Sequence, residues 1–256
     1  MRTLLSKEFY WNWRSFRYPA LVLVFVFFAL LNPPTIKYMN EILSLFAGVE
    51  GIGALLPEPT AQEAMSSVFS DLSQIGVLVL IFVTMGIVAR EKETGVAGWM
   101  LSKPVGRSRY LLAKVITLYA TIVLGLAAAS LLAYLYTWSL LGRVDVQGVL
   151  WAYFSLATYM ILMGSLTFAL STLLRTPLQA GGVAVVVFFL GGIGNLLVSG
   201  SSLVRSVYPN TLLGKLGPLV YGASQPGDVA GALAVTLAMA LVIVALAVRR
   251  FSRMEL

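Results

Sequence analysis

Residues 72–89 read LSQIGVLVLIFVTMGIVA and contain no charged side chain. An apolar run of about 18 residues is long enough to cross the hydrocarbon core of a bilayer as a helix. Charged side chains begin directly after this run, at Arg90, and recur as far as Lys114. The sequence therefore predicts a membrane-spanning helix that leads into a compact charged segment.

The composition of the whole chain agrees with this prediction. Of the 256 residues, 59% are hydrophobic and only 11% are charged, whereas soluble domains carry about 25% charged residues. The sequence contains no cysteine and no histidine, which excludes disulfides, the usual zinc sites and any active site with a histidine base. We predict an all-α polytopic membrane protein that forms a single domain over residues 1–256.

Six membrane-spanning helices are predicted from the apolar runs. The first has a short apolar core and ends near Pro33 and Pro34, where a kink is expected. A cleaved signal peptide is the alternative for this segment, but the residues that follow lack the small-residue cleavage pattern. The predicted spans are 16–36, 72–89, 111–141, 149–174, 178–198 and 228–248.

The charges between the spans predict the orientation. Most of the 18 Lys and Arg residues lie in the N-terminal segment, in loop 90–110 and in the C-terminal tail, whereas loop 37–71 is mainly acidic. Basic loops stay in the cytoplasm, so we expect both termini there, in a cell membrane of the prokaryotic inner type. Loops 37–71 and 199–227 would then be external. Within the acidic loop, Thr60 and Glu63 predict a capped helix start.

On this assignment, all 29 charged residues lie in loops or at the ends of spans. Ion-coupled carriers and proton pumps use ionisable groups inside the membrane. The sequence therefore argues against a secondary transporter, a proton pump and intramembrane acid–base catalysis. If the protein transports a substrate, we expect the energy to come from another subunit.

The charged segment, 89–114, reads AREKETGVAGWMLSKPVGRSRYLLAK. Thr94-Gly95 can end the preceding helix or cap a new one. Residues 96–101 can form a short helix, and Pro104 prevents that helix from continuing. In one interpretation Trp99 anchors an interfacial loop whose cations contact anionic lipid. In the other, the apolar residues fill a groove on a soluble partner. The residues alone leave both interpretations open.

The segment resembles the signature region of the type-2 ATP-binding-cassette (ABC) permease family, in the parts AREKETG, WMLSKPVGR and YLLAK. The wider resemblance covers nearly the whole chain: a basic N-terminal helix, six spans and an external segment before the last span. One departure is Val96, where the family often has threonine after the glycine. The resemblance implies that 96–101 is a cytoplasmic coupling helix that binds a separate ABC ATPase.

The same resemblance implies the function and the partners. The chain would be the permease subunit of an ATP-driven transporter, paired with a second permease copy or paralogue. Our hypothesis is an exporter, and the apolar side chains of the spans suggest an amphipathic or hydrophobic substrate. The sequence contains no GxxxxGK[ST] phosphate loop, so we expect this chain to bind no cofactor and to catalyse no reaction. ATP and Mg would bind to the partner ATPase, and no nucleic acid is implied. The expected ATPase-coupling residues are Arg90, Glu91, Lys92, Glu93, Thr94, Gly95, Trp99, Met100, Leu101, Lys103, Pro104 and Arg107.

Two further segments carry hypotheses. In residues 1–18, aromatic and basic residues alternate, and Phe9, Trp13 and Phe16 fall at helical spacing, which is typical of a helix lying in a membrane interface. The resemblance implies an elbow helix, with Arg14 and Arg17, that also touches the ATPase; a membrane anchor alone is the alternative. Loop 199–227 would form a re-entrant hairpin. The other hypothesis is that part of the fifth span is flexible or faces a pore; tight packing is the favoured alternative. The residues concerned are Gly191, Gly192, Gly194 and Asn195.

Two other functions remain open. A non-transporting membrane sensor or assembly subunit would use the same docking loop. A membrane-embedded lipid-modifying enzyme would need a nucleophile with a base. The sequence shows no such set, because Glu91 and Glu93 lie on different faces of a helix and have no evident partner acid.

Overall fold

The computed structural model describes residues 2–47, 58–101, 106–197 and 208–253, and within these ranges every regular element is a helix. The elements are α1 (Arg2–Arg14), α2 (Arg17–Lys37), α3 (Met39–Ala47), α4 (Ala61–Asp71), a π-helical turn (Leu72–Gly76), α5 (Val77–Thr84), α6 (Ala89–Glu93), α7 (Val96–Leu101), α8 (Arg107–Leu141), α9 (Val146–Leu173), α10 (Pro177–Leu197), α11 (Thr211–Gly214), α12 (Leu216–Val220) and α13 (Gly227–Ser252).

Among the described residues, six helical segments are long and apolar enough to cross a membrane. They are α2, the run from α4 to α6, α8, α9, α10 and α13, which confirms the predicted all-helical, six-span fold. The second segment begins at Ala61 rather than at residue 72. The helix that was expected in the acidic loop therefore continues, through the π-helical turn, into the span.

The start of α4 follows from its capping residues. The Thr60 hydroxyl accepts a hydrogen bond from the Glu63 amide, and the Glu63 carboxylate accepts one from the Thr60 amide. This reciprocal capping box satisfies two amide groups that a helix N-terminus otherwise leaves without partners. The predicted cap at Thr60 is confirmed.

Helix α9 lies at the centre of the bundle and is its most buried span, packed against α8, α10, α5 and α13. Helix α2 packs along α8, where Gly125 allows a close approach: a Cβ atom at this position would lie 2.9 Å from Val22 Cγ2. Helix α10 is the least buried span. Apart from Gln179 near its start, its exposed side chains are apolar, which suits contact with membrane lipid or with a second subunit.

The termini and the charged segment meet at one end of the bundle, which we call the basic end. There, an Arg107 guanidinium N–H donates to the Ser252 carbonyl over 3.3 Å, and the Tyr110 ring stacks on Phe251. The opposite end, the far end, carries the α8–α9 connection and the short helices α11 and α12.

At the far end, α11 and α12 are largely buried against α9 and α4. Gly148 of α9 makes this possible, because a Cβ atom there would lie only 2.3 Å from the Leu219 carbonyl oxygen. Residues 199–207 of the predicted re-entrant loop lie outside the described residues. The re-entrant path itself stays a prediction.

Candidate coupling site at the basic end

Helix α7 is a short helix set off from the second span by a glycine. Gly95 has a φ of +73°, a left-handed conformation that glycine adopts without strain. The Thr94 amide donates to the Arg90 carbonyl and ends α6. The structure thus ends the helix at Thr94-Gly95, as predicted, and starts the short helix at Val96.

Two apolar side chains of α7 point outward. Trp99 is 63% exposed and Val96 is 43% exposed. Met100 is partly buried, and its sulfur lies 3.9 Å from Lys7 Nζ on α1. Leu101 is the last residue of α7, and only its backbone is described. Lys103 and Pro104 lie outside the described residues.

A buried cluster of charges lies directly behind α7. Lys114 Nζ of α8 is 2.9 Å from Glu8 Oε2 of α1 and 2.8 Å from Glu91 Oε1 of α6. The Tyr110 hydroxyl donates to the other carboxylate oxygen of Glu91. The side chains of Glu8 and Lys114 are each only 2% exposed. One ammonium therefore joins the N-terminal helix to both spans that flank α7.

Without Lys7, the cluster contains two carboxylates, Glu8 and Glu91, and one ammonium group, Lys114. Lys7 Nζ lies 3.2 Å from Glu8 Oε1, on the solvent side. Two carboxylates then face two ammonium groups. Removing one member of a buried pair leaves an uncompensated charge, which is far more costly than the loss of an exposed pair. The cluster thus fixes the relative positions of α1, α6 and α8.

A second set of bonds fixes the other side of α6. The Ser171 hydroxyl of α9 accepts hydrogen bonds from the Val88 and Ala89 amides, at 3.1 and 2.9 Å. Lys92 Nζ donates to the carbonyls of Thr172 and Leu174 at the C-terminal end of α9, at 2.8 and 2.6 Å. The positive charge of Lys92 also interacts favourably with the negative, C-terminal end of the α9 helix dipole.

Six of the predicted coupling residues differ in whether their side chains bind within the protein or are exposed. Glu91 and Lys92 use their charged groups inside the protein. Arg90, Glu93, Thr94 and Trp99 are exposed and are available to a partner or to lipid.

The N-terminal helix α1 buries two polar side chains against the protein. Glu8 and Asn12, one helical turn apart, are buried, whereas Phe9 and Trp13 are exposed and stack on each other. Phe16, in the turn before α2, is exposed as well. The aromatic stripe thus faces away from the bundle, as an interfacial helix requires. The role of Phe9, Trp13, Arg14, Phe16 and Arg17 in contacting an ATPase stays a prediction.

The glycines of the fifth span lie far from this site. Helix α10 passes through Gly191, Gly192 and Gly194 without a break. The Tyr208 hydroxyl donates to the Gly191 carbonyl over 2.7 Å. A Cβ atom added at Gly194 would lie only 2.4 Å from the same hydroxyl oxygen. These contacts support packing; the hinge or pathway role stays a prediction. Asn195 belongs to α10, but its side chain is not among those described.

Sequence reasoning missed Glu8, Tyr110, Lys114 and Ser171. One signal was available for Glu8: it shares a helical face with Asn12 and is the acid within a basic, aromatic helix. Tyr110 and Lys114 belong to the resembling part YLLAK, but that part does not indicate their partners, and no local pattern marks Ser171. The partners of these residues are distant in sequence, and only the packing of the helices brings them together.

The fold and this site define a class of protein: a polytopic helical membrane protein with a short helix held outward between its second and third spans. The chain belongs to the ABC-2 family of transporter proteins, whose family model matches residues 2–256. Members of this family are membrane components of transporters.

A curated relative is named uncharacterized transmembrane protein YxlG, from Bacillus subtilis (strain 168). It is 31% identical to this chain over 137 residues, which are 53% of this chain and 53% of that protein. The match therefore spans about half the length of the relative.

Proposed function

We propose that this chain is the permease subunit of an ATP-driven exporter and that a separate ABC ATPase docks on α7. The observation that carries the proposal is the exposure of Trp99 and Val96 on a helix whose base is fixed by buried bonds. Large exposed aromatic side chains are typical energetic centres of protein interfaces. Family membership supports the assignment to a transporter.

The rigid attachment of α7 supports a mechanical role. Closure of the ATPase subunits would move α7, and the Lys114 cluster would transmit this movement to α1, α6 and α8. The bonds from Ser171 and Lys92 would carry it into α9. A loop that served only as a lipid anchor would have no need for two sets of buried bonds behind it.

The remaining parts of the proposal concern orientation, assembly and substrate. The basic end would face the cytoplasm, since basic segments are retained there, and the membrane would be a cell membrane. The exposed apolar side chains of α10 would contact a second permease copy or lipid. The substrate would be amphipathic or hydrophobic, since the described spans line no strongly polar pathway.

A pair of tryptophan substitutions tests the docking. A tagged permease is co-expressed with a candidate ABC ATPase, and both co-purification and ATPase activity in proteoliposomes are measured. Trp99→Glu is expected to abolish co-purification. Trp138→Glu is the matched control: Trp138 is also exposed, but it lies at the far end of α8, beside Arg143. Its substitution should leave binding unchanged.

The outcomes separate the competing functions. Equal binding by wild type and Trp99→Glu would refute docking on α7. Binding without permease-dependent ATPase activity or transport would favour a sensor or assembly subunit. Glu91→Arg is unsuitable for this test, because it would disrupt the buried cluster as well as any contact with the ATPase.

A further inference from the structure

Two arginines from different helices line the mouth of one groove at the basic end. Arg17 is the first residue of α2, and Arg90 lies in α6. The groove has a volume of about 520 Å³, within the range of small-molecule sites. Below the arginines, its wall is formed by Val79, Phe82 and Val83 of α5. Charge at the mouth and an apolar wall below describe an amphipathic site.

Neither guanidinium forms an ion pair within the part of the chain that the structure describes. No described side chain forms a hydrogen bond with the guanidinium of Arg17 or Arg90. Arg90 repels Arg17, while Glu91 and Glu8 attract Arg17 without contacting it. Lys114, by contrast, contacts two carboxylates. An anion between the arginines would relieve the repulsion and use the planar donors that suit phosphate.

The nearby carboxylates do not supply this anion. Both oxygens of Glu91 are engaged, one by Lys114 and one by Tyr110. Glu93 lines the groove but is exposed and forms no ion pair with either arginine. The mouth of the groove therefore keeps a net positive charge.

The position of the groove relative to the membrane points to a lipid. Arg17 and Arg90 lie at the basic ends of the first two candidate spans, where we expect the boundary of the membrane. From Arg90 back to Val79, the chain passes through the turn 85–88 and then runs along α5 into the second span. Phe82, on this path, is 56% exposed. A free phosphate would leave this wall uncovered, whereas an acyl chain would cover it.

We propose that Arg17 and Arg90 clamp the phosphate of an anionic phospholipid whose acyl chain lies along Val79, Phe82 and Val83. The bound lipid would tie the α1–α2 turn to α6, which leads directly into α7. This site does not depend on the presence of an ATPase, so it can be tested on the permease alone.

The test uses the full-length chain, purified in a neutral detergent. Native mass spectrometry measures binding of phosphatidylglycerol, phosphatidylcholine and inorganic phosphate at matched concentrations. Wild type is expected to prefer phosphatidylglycerol. The double variant Arg17→Gln/Arg90→Gln should bind it at least about tenfold more weakly, as expected when charge-assisted hydrogen bonds to phosphate are lost. Arg109→Gln is the matched control, because Arg109 is exposed at the same end and outside the groove.

Each outcome decides the proposal. Equal phosphatidylglycerol binding by wild type and the double variant overturns the clamp, as does an equal loss in Arg109→Gln. Competition by inorganic phosphate as effective as that by phosphatidylglycerol overturns the assignment to a lipid. If the double variant is not recovered folded, Arg90→Gln and the charge-conserving Arg90→Lys are compared. Stronger binding by the lysine variant supports the site, and equal binding overturns it.

Discussion

Lys114 Nζ lies 2.9 Å from Glu8 Oε2, and both side chains are 2% exposed. These residues are 106 positions apart in the sequence. Their contact makes the N-terminal helix part of the same rigid unit as the third span. Any force applied to α7 would therefore also act on α1.

The first prediction concerns Lys114 itself. Lys114→Met should lower the free energy of unfolding by about 3–5 kcal/mol, because Glu8 and Glu91 would stay buried without their shared cation. Lys7→Met is the control, since Lys7 contacts the same Glu8 but is itself 42% exposed, so its loss should cost less than the loss of the buried Lys114. Thermal or denaturant unfolding in detergent measures both. A loss of only about 0–1 kcal/mol in Lys114→Met, no larger than that in Lys7→Met, would show that the Lys114 cluster does not stabilise the fold.

The second prediction concerns the hydroxyl of Ser171. Ser171→Ala should leave the buried amides of Val88 and Ala89 without an acceptor, at a cost of about 1–3 kcal/mol per group. Hydrogen exchange should then accelerate in the peptide that contains residues 86–94. Ser139→Ala is the control, because the Ser139 hydroxyl is exposed and only donates to its own helix. Unchanged exchange in Ser171→Ala would contradict the proposed attachment of α6 to α9.

The third prediction tests the packing at the far end. Gly148→Ala should destabilise the fold by about 1–3 kcal/mol, because its Cβ would meet the Leu219 carbonyl oxygen. Gly182→Ala in α10 is the control, since no atom lies within 4 Å of its added Cβ. That change should be neutral or stabilise the helix by about 0.5–1 kcal/mol. Comparison of the two melting temperatures tests whether α12 packs on α9.

Much of the fold was predictable from local patterns. Apolar runs located the spans, and the Thr60 capping box located the start of α4. The run 72–89 marked the apolar part of the second span, whereas the helix begins at Ala61, because the helix predicted from the cap at Thr60 continues into that part. Hydropathy detects the hydrocarbon-embedded part of a helix and not the part that extends beyond it.

The candidate site was predictable only in part. The sequence of α7, with Gly95 before it and Trp99 within it, indicated an outward-facing short helix. The sequence did not indicate which charged side chains bind within the protein and which are exposed. Glu91 and Glu93 are two residues apart and look alike in sequence, yet one is bound to Lys114 and the other is exposed. This difference depends on which face of α6 meets α8 and on the return of α1 to the same place.

The last prediction concerns the turn between α1 and α2. Phe16 has a φ of 59°, and a left-handed conformation costs a non-glycine residue about 1–2 kcal/mol. The Phe16 ring is exposed, so replacing it should remove few contacts within the protein. Phe16→Gly should therefore be more stable than Phe16→Ala by about 1 kcal/mol, because both variants lack the ring and only glycine relieves the strain.

Two readouts separate the backbone from the ring of Phe16. Unfolding in detergent reports the backbone strain, and there the glycine variant should exceed the alanine variant. Partitioning of a peptide with the sequence of residues 1–18 into vesicles reports the contribution of the ring to interfacial binding, and there both variants should bind more weakly than wild type. Equal stability of the two variants would show that the α1–α2 turn can relax to another conformation. The turn would then be too flexible to transmit a movement from α1 to α2.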